Sequence, residues 1–195
     1  MTRLRTYFVW SFWVGAAFFS VYPTMNWITS LRARPWHLYA PAELAIPFVP
    51  QFVWAYLSMY VLFALPAFAL PPARMPSLGK QLIAGCAVSA ALFLLFPAEL
   101  GFARQLPGQQ PYDAIFAGMF GVDRPYNLVP SLHVIFSASI ALACADAMRP
   151  AARVALLAWL VVIVASTVLV HQHHLIDVVS ALAVVLVLRR SFRDG

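Results

Sequence analysis

Residues 153–190 read RVALLAWLVVIVASTVLVHQHHLIDVVSALAVVLVLRR, a nearly unbroken apolar run whose interior polarity is concentrated at His171-Gln172-His173-His174 and Asp177. As one helix its 38 residues would extend ~57 Å at 1.5 Å each. That is nearly twice the ~30 Å hydrocarbon core of a bilayer. The run therefore reads as two spans that turn at His171–His174, although no Gly or Pro marks the break. An ionisable group in or beside hydrocarbon costs roughly 2.5–3.5 kcal/mol, which makes this polar turn a functional candidate. Asp177 follows His173 by four residues, the spacing that stacks two side chains one turn apart on a helix. A carboxylate so placed accepts the proton of one imidazole nitrogen and leaves the other free. Ser166 precedes His173 by seven residues and Asp177 by eleven. On one continuous helix all three would share a face.

The rest of the chain has the same character. It is 195 residues long, 63% hydrophobic and 10% charged, with a mean hydropathy of +0.80. Soluble domains carry about 25% charged residues, so the expected fold is an all-α integral membrane bundle in a single domain, 1–195. Six apolar stretches approach the ~20 residues a span requires: 6–28, 48–70, 80–98, 131–147, 153–171 and 173–190. The first follows Met-Thr-Arg-Leu-Arg and is too long for a signal-peptide core, so it is expected to be retained. Between the third and fourth lies a polar stretch, 99–130. Within it Ile115, Phe116, Met119 and Phe120 are spaced to form an apolar lid. Cys86 and Cys144 fall inside apolar runs and read as small buried hydrophobes.

The net charge of +6 comes from scattered residues, 12 of the 13 being Arg. No basic stripe points to nucleic acid. Arg3, Arg5, Arg74, Lys80, Arg149, Arg153, Arg189, Arg190 and Arg193 fall at one membrane face, and Arg32, Arg34, Arg104 and Arg124 at the other. Nine against four places both termini in the cytoplasm. The polar turn, the 29–47 and 99–130 loops and the start of the fourth span then face outward, to the periplasm in a bacterium. Ser131 and His133 open that fourth span, where free backbone N–H groups favour an anion.

Pro130-Ser131-Leu132-His133 resembles the second signature of the type 2 phosphatidic acid phosphatase superfamily, usually Pro-Ser-Gly-His. Ser166-Thr167, followed after five residues by His173 and after three more by Asp177, resembles the third, usually Ser-Arg-x5-His-x3-Asp. The resemblance implies a phosphoryl-transfer enzyme in which His173 is the nucleophile, Asp177 orients it and His133 protonates the leaving group. It also implies that Ser131 and Ser166 donate to phosphoryl oxygens. The first signature, Lys-x6-Arg-Pro, is absent: Arg34-Pro35 has Trp27 where Lys is expected, and Arg124-Pro125 has Ala117. Phosphoryl transfer spreads charge over three oxygens and calls for cations. Arg104 and Arg124 are the candidate phosphate ligands, with Arg32 and Arg34 behind them.

The Leu132, Thr167 and Gln172-His173 variations resemble the inositol phosphorylceramide synthase and sphingomyelin synthase branch, which contains phosphotransferases. The leading expectation is a phosphatase that releases phosphate from a lipid phosphate or pyrophosphate at the outer face. The alternatives are transfer of a phospho-headgroup to a lipid or sugar alcohol, and a non-catalytic lipid-binding protein. Adjacent histidines diverge on a helix and no carboxylate cluster offers Mg²⁺ its oxygen ligands. Neither metal nor cofactor is expected, and the partners are the lipid phosphate and the bilayer. His37, His171 and His174 read as structural or interfacial.

Overall fold

A computed structural model describes residues 2–32 and 34–192. Arg193, counted above with the cytoplasmic basic residues, and the C-terminal Gly195 lie outside the described residues. The described chain is helical, with no strand beyond an isolated parallel bridge between Trp36 and Ala98. Its helices are α1 (Arg3–Ser30), α2 (Val53–Leu57), α3 (Met59–Leu62), α4 (Leu65–Ala69), α5 (Met75–Leu95), α6 (Tyr112–Val122), α7 (Leu132–Ala145), α8 (Pro150–Leu169) and α9 (Leu175–Ser191).

Three helical stretches, Arg3–Ser30, Pro72–Leu95 and Pro150–Leu169, are long and apolar enough to cross a membrane. The other apolar stretches differ from uniform spans, for local reasons. The expected helix over 48–70 is broken into α2, α3 and α4. Pro66 has no N–H to continue a ladder, and the residue before a proline is disfavoured in helical geometry. The chain is kept wound there by i→i−3 bonds, Val61 N–H to Ser58 and Ala64 N–H to Val61. The Ser58 hydroxyl donates to the Ala55 carbonyl at 2.6 Å and accepts from Trp159 Nε1 at 3.1 Å. Helix α7 has 14 residues and α9 has 17.

At the centre lies α7. Twelve of its 14 residues are buried, as expected of a helix apolar on every side. Its small residues, Ser137, Ala138, Ser139 and Ala141, admit close neighbours, and α5, α8 and α9 pack around it. Helix α1 lies outside this group, against α5. There a Cβ on Gly79 would come within 2.2 Å of the Trp10 ring, so only glycine permits the approach.

Long-range hydrogen bonds sort the helix ends into two groups. At one end Arg3 donates to the Phe68 carbonyl at 2.9 Å, Ser77 to the Phe192 carbonyl, and Arg189 to Asp146 at 2.5 Å. At the other, Val49 N–H meets the Leu169 carbonyl at 2.8 Å, Trp36 N–H the Pro97 carbonyl at 2.6 Å, and Ser131 N–H the Asp177 carbonyl at 3.1 Å. This second end carries α6, an eleven-residue helix inside the polar 99–130 stretch. Phe116 of α6 is fully buried against Val53 and Val170, with Ile115, Met119 and Phe120 around it.

Candidate active site

The turn between α8 and α9 is made without glycine. His171 adopts φ 55°, in the left-handed region where histidine is among the better-tolerated residues. Its N–H bonds the Val168 carbonyl at 2.9 Å, and Gln172 N–H bonds the Thr167 carbonyl at 3.0 Å. This pair of bonds is the Schellman termination. The Thr167 carbonyl also accepts from His173 N–H at 3.0 Å. The His171 ring is held by Ile46, whose carbonyl lies 2.9 Å from Nε2, and by a stack on Phe102 with centroids 3.9 Å apart.

The interruption changes the reading of the motif. Ser166, His173 and Asp177 do not share one helix. Ser166 lies on α8, Asp177 on α9, and His173 in the turn. The His173–Asp177 pair forms nonetheless, with Nδ1 to Oδ2 at 3.0 Å. The same Oδ2 accepts the His174 N–H at 2.9 Å. Asp177 thus caps the N-terminus of α9 while orienting the imidazole. Both residues are buried, at 8% and 1% exposure. In the neutral tautomer that donates from Nδ1 to the carboxylate, the lone pair is on Nε2.

A second carboxylate holds this helix end. Glu43 accepts Leu175 N–H at 2.7 Å through Oε2 and Ala40 N–H at 2.9 Å through Oε1. Its burial raises the pKa, but these donors and the neighbouring His174 outweigh it and hold the carboxyl below its ordinary value. His174 is stacked between Tyr39 and Phe102, each with centroids 4.4 Å away. Its Nε2 accepts Gly101 N–H at 3.0 Å, so the ring proton is on Nδ1, which faces Glu43 at 3.4 Å without the alignment of a hydrogen bond. His174 joins three segments and is not a candidate for chemistry.

His133 enters from α7. It is buried, its ring stacks on Tyr56 with centroids 3.9 Å apart, and its Nε2 has no hydrogen-bond partner. His133 and His173 both line one cavity of about 920 Å³. Tyr22, Asn26, Asp123 and Asn127 line the same end of it. Asp123 Oδ1 accepts from Tyr22 at 2.7 Å and from Asn26 at 2.8 Å. Burial pushes the Asp123 carboxyl above its ordinary value, while Tyr22, His173, Arg104 and Asn26 act in the opposite direction. A half-buried carboxylate therefore lies within electrostatic reach of His173.

The remaining candidates divide. Arg124 lines the cavity, is exposed, and donates from Nη1 to the Ser30 hydroxyl at 2.6 Å. Arg104 is adjacent but does not line it. Its Nη1 donates to the Asp123 carbonyl at 2.7 Å, its guanidinium lies 4.8 Å over the Phe120 ring, and its buried Nε has no partner. Burial pulls its pKa below the ordinary value, against the opposing pull of Asp123. Ser131 caps α7 by accepting Val134 N–H at 3.3 Å, and Ser166 donates to the Ile163 carbonyl at 2.6 Å. Both serines are fully buried, and neither lines the cavity. Arg32 and Arg34 are exposed and also away from it. No cluster of His, Cys, Asp and Glu suited to a metal occurs among the described residues.

Glu43, Asp123, Asn26, Tyr22 and Tyr56 were not legible as site residues in the sequence. Asp123 carried the only available signal, a carboxylate beside the Arg124-Pro125 dipeptide. Comparison with family models, curated proteins and solved structures finds no match to this chain.

Proposed function

We propose that this chain is a membrane enzyme that transfers the phosphoryl group of a lipid phosphate or pyrophosphate to water through a phosphohistidine. The observation that carries the reading is the buried His173–Asp177 pair, 3.0 Å apart, whose histidine shares a cavity with His133. His173 Nε2 attacks phosphorus as the bond to the leaving oxygen breaks, and His133 gives that oxygen its proton. Asp177 stabilises the charge that develops on the imidazole. His133 then takes a proton from water, the water oxygen attacks phosphorus, and the P–N bond breaks to release phosphate. Arg124 and the Arg104 region supply positive charge near the transferring group.

In this reading six segments cross the bilayer: α1, the α2–α4 series, α5, α7, α8 and α9. Both termini lie in the cytoplasm and the site opens at the outer face. The two-ended sorting of the helix ends supports this layout. Burial of the two histidines, each at 8% exposure, favours a second reading in which a bound alcohol replaces water as acceptor, because a dry site disfavours hydrolysis. Turnover of a lipid phosphate in ¹⁸O-water distinguishes the two. Hydrolysis gives labelled inorganic phosphate without any added alcohol. Appearance of product only with a second alcohol, as a phosphodiester, would replace hydrolysis by transfer. Activity is expected to survive EDTA and to be inhibited by vanadate.

A further inference from the structure

The last two turns of α1 carry a polar stripe. Tyr22, Asn26, Thr29 and Ser30 recur at helical spacing on one face, and all four bond the 123–127 segment that precedes α7. Tyr22 donates to Asp123 Oδ1 at 2.7 Å, and its carbonyl accepts from Asn127 Nδ2 at 3.2 Å. The Thr29 hydroxyl meets Asn127 Oδ1 at 2.9 Å, and Ser30 accepts from Arg124 Nη1 at 2.6 Å. Asn26 lies at the middle of the stripe. Its Nδ2 donates to Asp123 Oδ1 at 2.8 Å and to the Arg124 carbonyl at 3.0 Å, and its Oδ1 accepts the Arg124 N–H at 3.2 Å. The side chain is buried, at 6% exposure. Both of its amide hydrogens are used, and the Arg124 backbone is gripped through its N–H and its carbonyl together.

The same contacts decide the state of the Arg124 charge. Asp123 is the neighbouring carboxylate, but its Oδ1 is taken by Tyr22 and Asn26. Among the described residues Arg124 forms no ion pair, and its side chain bonds only the neutral Ser30 hydroxyl. A guanidinium carries five donors in a planar fork, so most of them stay open to an oxyanion. Arg124 and Asn26 line the cavity that also holds His133 and His173.

Resting on the catalytic reading above, we infer that Asn26 is a positioning residue, which fixes the Arg124 backbone at the cavity so that the guanidinium can exchange the Ser30 hydroxyl for the transferring phosphoryl group. The exchange gives up one hydrogen bond to a neutral group and gains charge-assisted ones. Asn26 itself touches neither phosphorus nor the leaving oxygen. Its effect reaches the reaction through Arg124.

The test is a double-mutant cycle between Asn26 and Arg124, read as kcat and KM for a lipid phosphate in nanodiscs. Asn26→Ala leaves room for water to meet the freed backbone groups. It is expected to lower kcat by at least ~10-fold with little change in KM, because a displaced charge acts chiefly on the transition state. In an Arg124→Ala background the same substitution is expected to cost less than ~3-fold, since residues that act through one another are not additive. Asn26→Gln keeps the amide one methylene farther out. It is expected to lose less than Asn26→Ala, again only while Arg124 is present, and it carries the test if Asn26→Ala fails to fold. Thr29→Val is the control. It removes a contact of the same stripe without touching Arg124, and its effect is expected to be equal in the two backgrounds. Three results each overturn the inference: wild-type kcat in both Asn26 variants, an equal loss in both backgrounds, or a Thr29→Val effect that vanishes with Arg124 in the same way.

Amide hydrogen exchange over 123–127 gives a readout independent of turnover. Protection is expected to fall in Asn26→Ala and to persist in Arg124→Ala, which keeps the backbone N–H that Asn26 accepts. Unchanged protection in Asn26→Ala overturns the positioning role even where turnover falls. A wild type that transfers no phosphoryl group, yet shows the expected exchange pattern, removes the catalytic reading and leaves Asn26 a structural clasp, which also overturns the inference.

Discussion

His173, His133 and Asp177 differ in how much structure depends on them. His173 and His133 each have a ring nitrogen without a protein partner among the described residues, so alanine removes chemistry, and at His133 the stack on Tyr56, but leaves no helix end unsatisfied. His173→Ala and His133→Ala are each expected to insert normally and lose at least ~10²-fold in turnover, the lower range for one acid–base group. Asp177 has two tasks, since one oxygen meets both His173 Nδ1 and the His174 N–H. Asp177→Asn retains an oxygen that can accept from both donors but loses the negative charge that strengthens both contacts and offsets the charge developing on the imidazole. A similar loss of turnover is expected, together with a small loss of stability, because a cap is worth ~0.5–2 kcal/mol. Acid-labile phosphohistidine should be trapped on wild type and absent from His173→Ala, and label retained in that variant would move the nucleophile elsewhere. His171 is the internal contrast. Its left-handed backbone and its contacts to Ile46 and Phe102 give it a structural role. His171→Asn, which suits the same backbone region, should keep turnover within a few-fold of wild type. A collapse of turnover in a stable His171→Asn protein would show that the ring participates.

The N-terminus of α9 is the element on which the candidate site depends. It is held by Asp177 from its own first turn and by Glu43 from a distant loop. Without Glu43 the Leu175 N–H would be left without its acceptor, and the turn that aims His173 would loosen. Glu43→Gln should lower thermal stability in detergent and reduce turnover by a few-fold, with the remaining activity still dependent on His173. The pH dependence follows from the direction of the shift. Glu43 is held below its ordinary value of 4.5, so its stabilisation is complete above that pH and is lost as pH falls through the lower, folded value. The Tm difference between wild type and Glu43→Gln should therefore be full at neutral pH and shrink below about pH 4.5. A difference constant down to pH 3 would mean that the charge of Glu43 is not what holds the turn.

For the molecule as a whole, the prediction is topological. The bonds Arg3–Phe68, Ser77–Phe192 and Arg189–Asp146 gather one set of helix ends, and α6 with the site gathers the other. Reporter fusions at both termini should report the cytoplasm, and Gln109→Cys should be labelled by an impermeant reagent added from outside. Labelling of Gln109→Cys only after permeabilisation would invert or abolish the proposed arrangement. In the proposed arrangement α7 crosses with only 14 residues. Helix α7 is sheathed by α5, α8 and α9, so its ends meet protein where a lone helix would meet lipid or water.

The sequence by itself determined the helical class, the presence of helices long and apolar enough to cross a membrane, the turn at His171–His174, and the His173–Asp177 pair. Each of these rests on composition or on residues within a few positions of one another, where helix geometry and hydropathy act directly. Even the glycine-free turn was legible, because a 57 Å helix does not suit a ~30 Å core. Only the tertiary structure decided that the motif straddles two helices, that Ser166 and Ser131 satisfy backbone groups, and that the second apolar stretch is broken. It also decided the company His173 keeps. Tyr22 meets Asp123 across 101 residues, and Glu43 meets Leu175 across 132. No spacing rule reaches that far. Such pairs are chosen by how buried polar groups find partners once the helices have packed, and packing depends on every side chain at the contact, as at Trp10 and Gly79, where the absence of one Cβ sets the approach of α1 to α5.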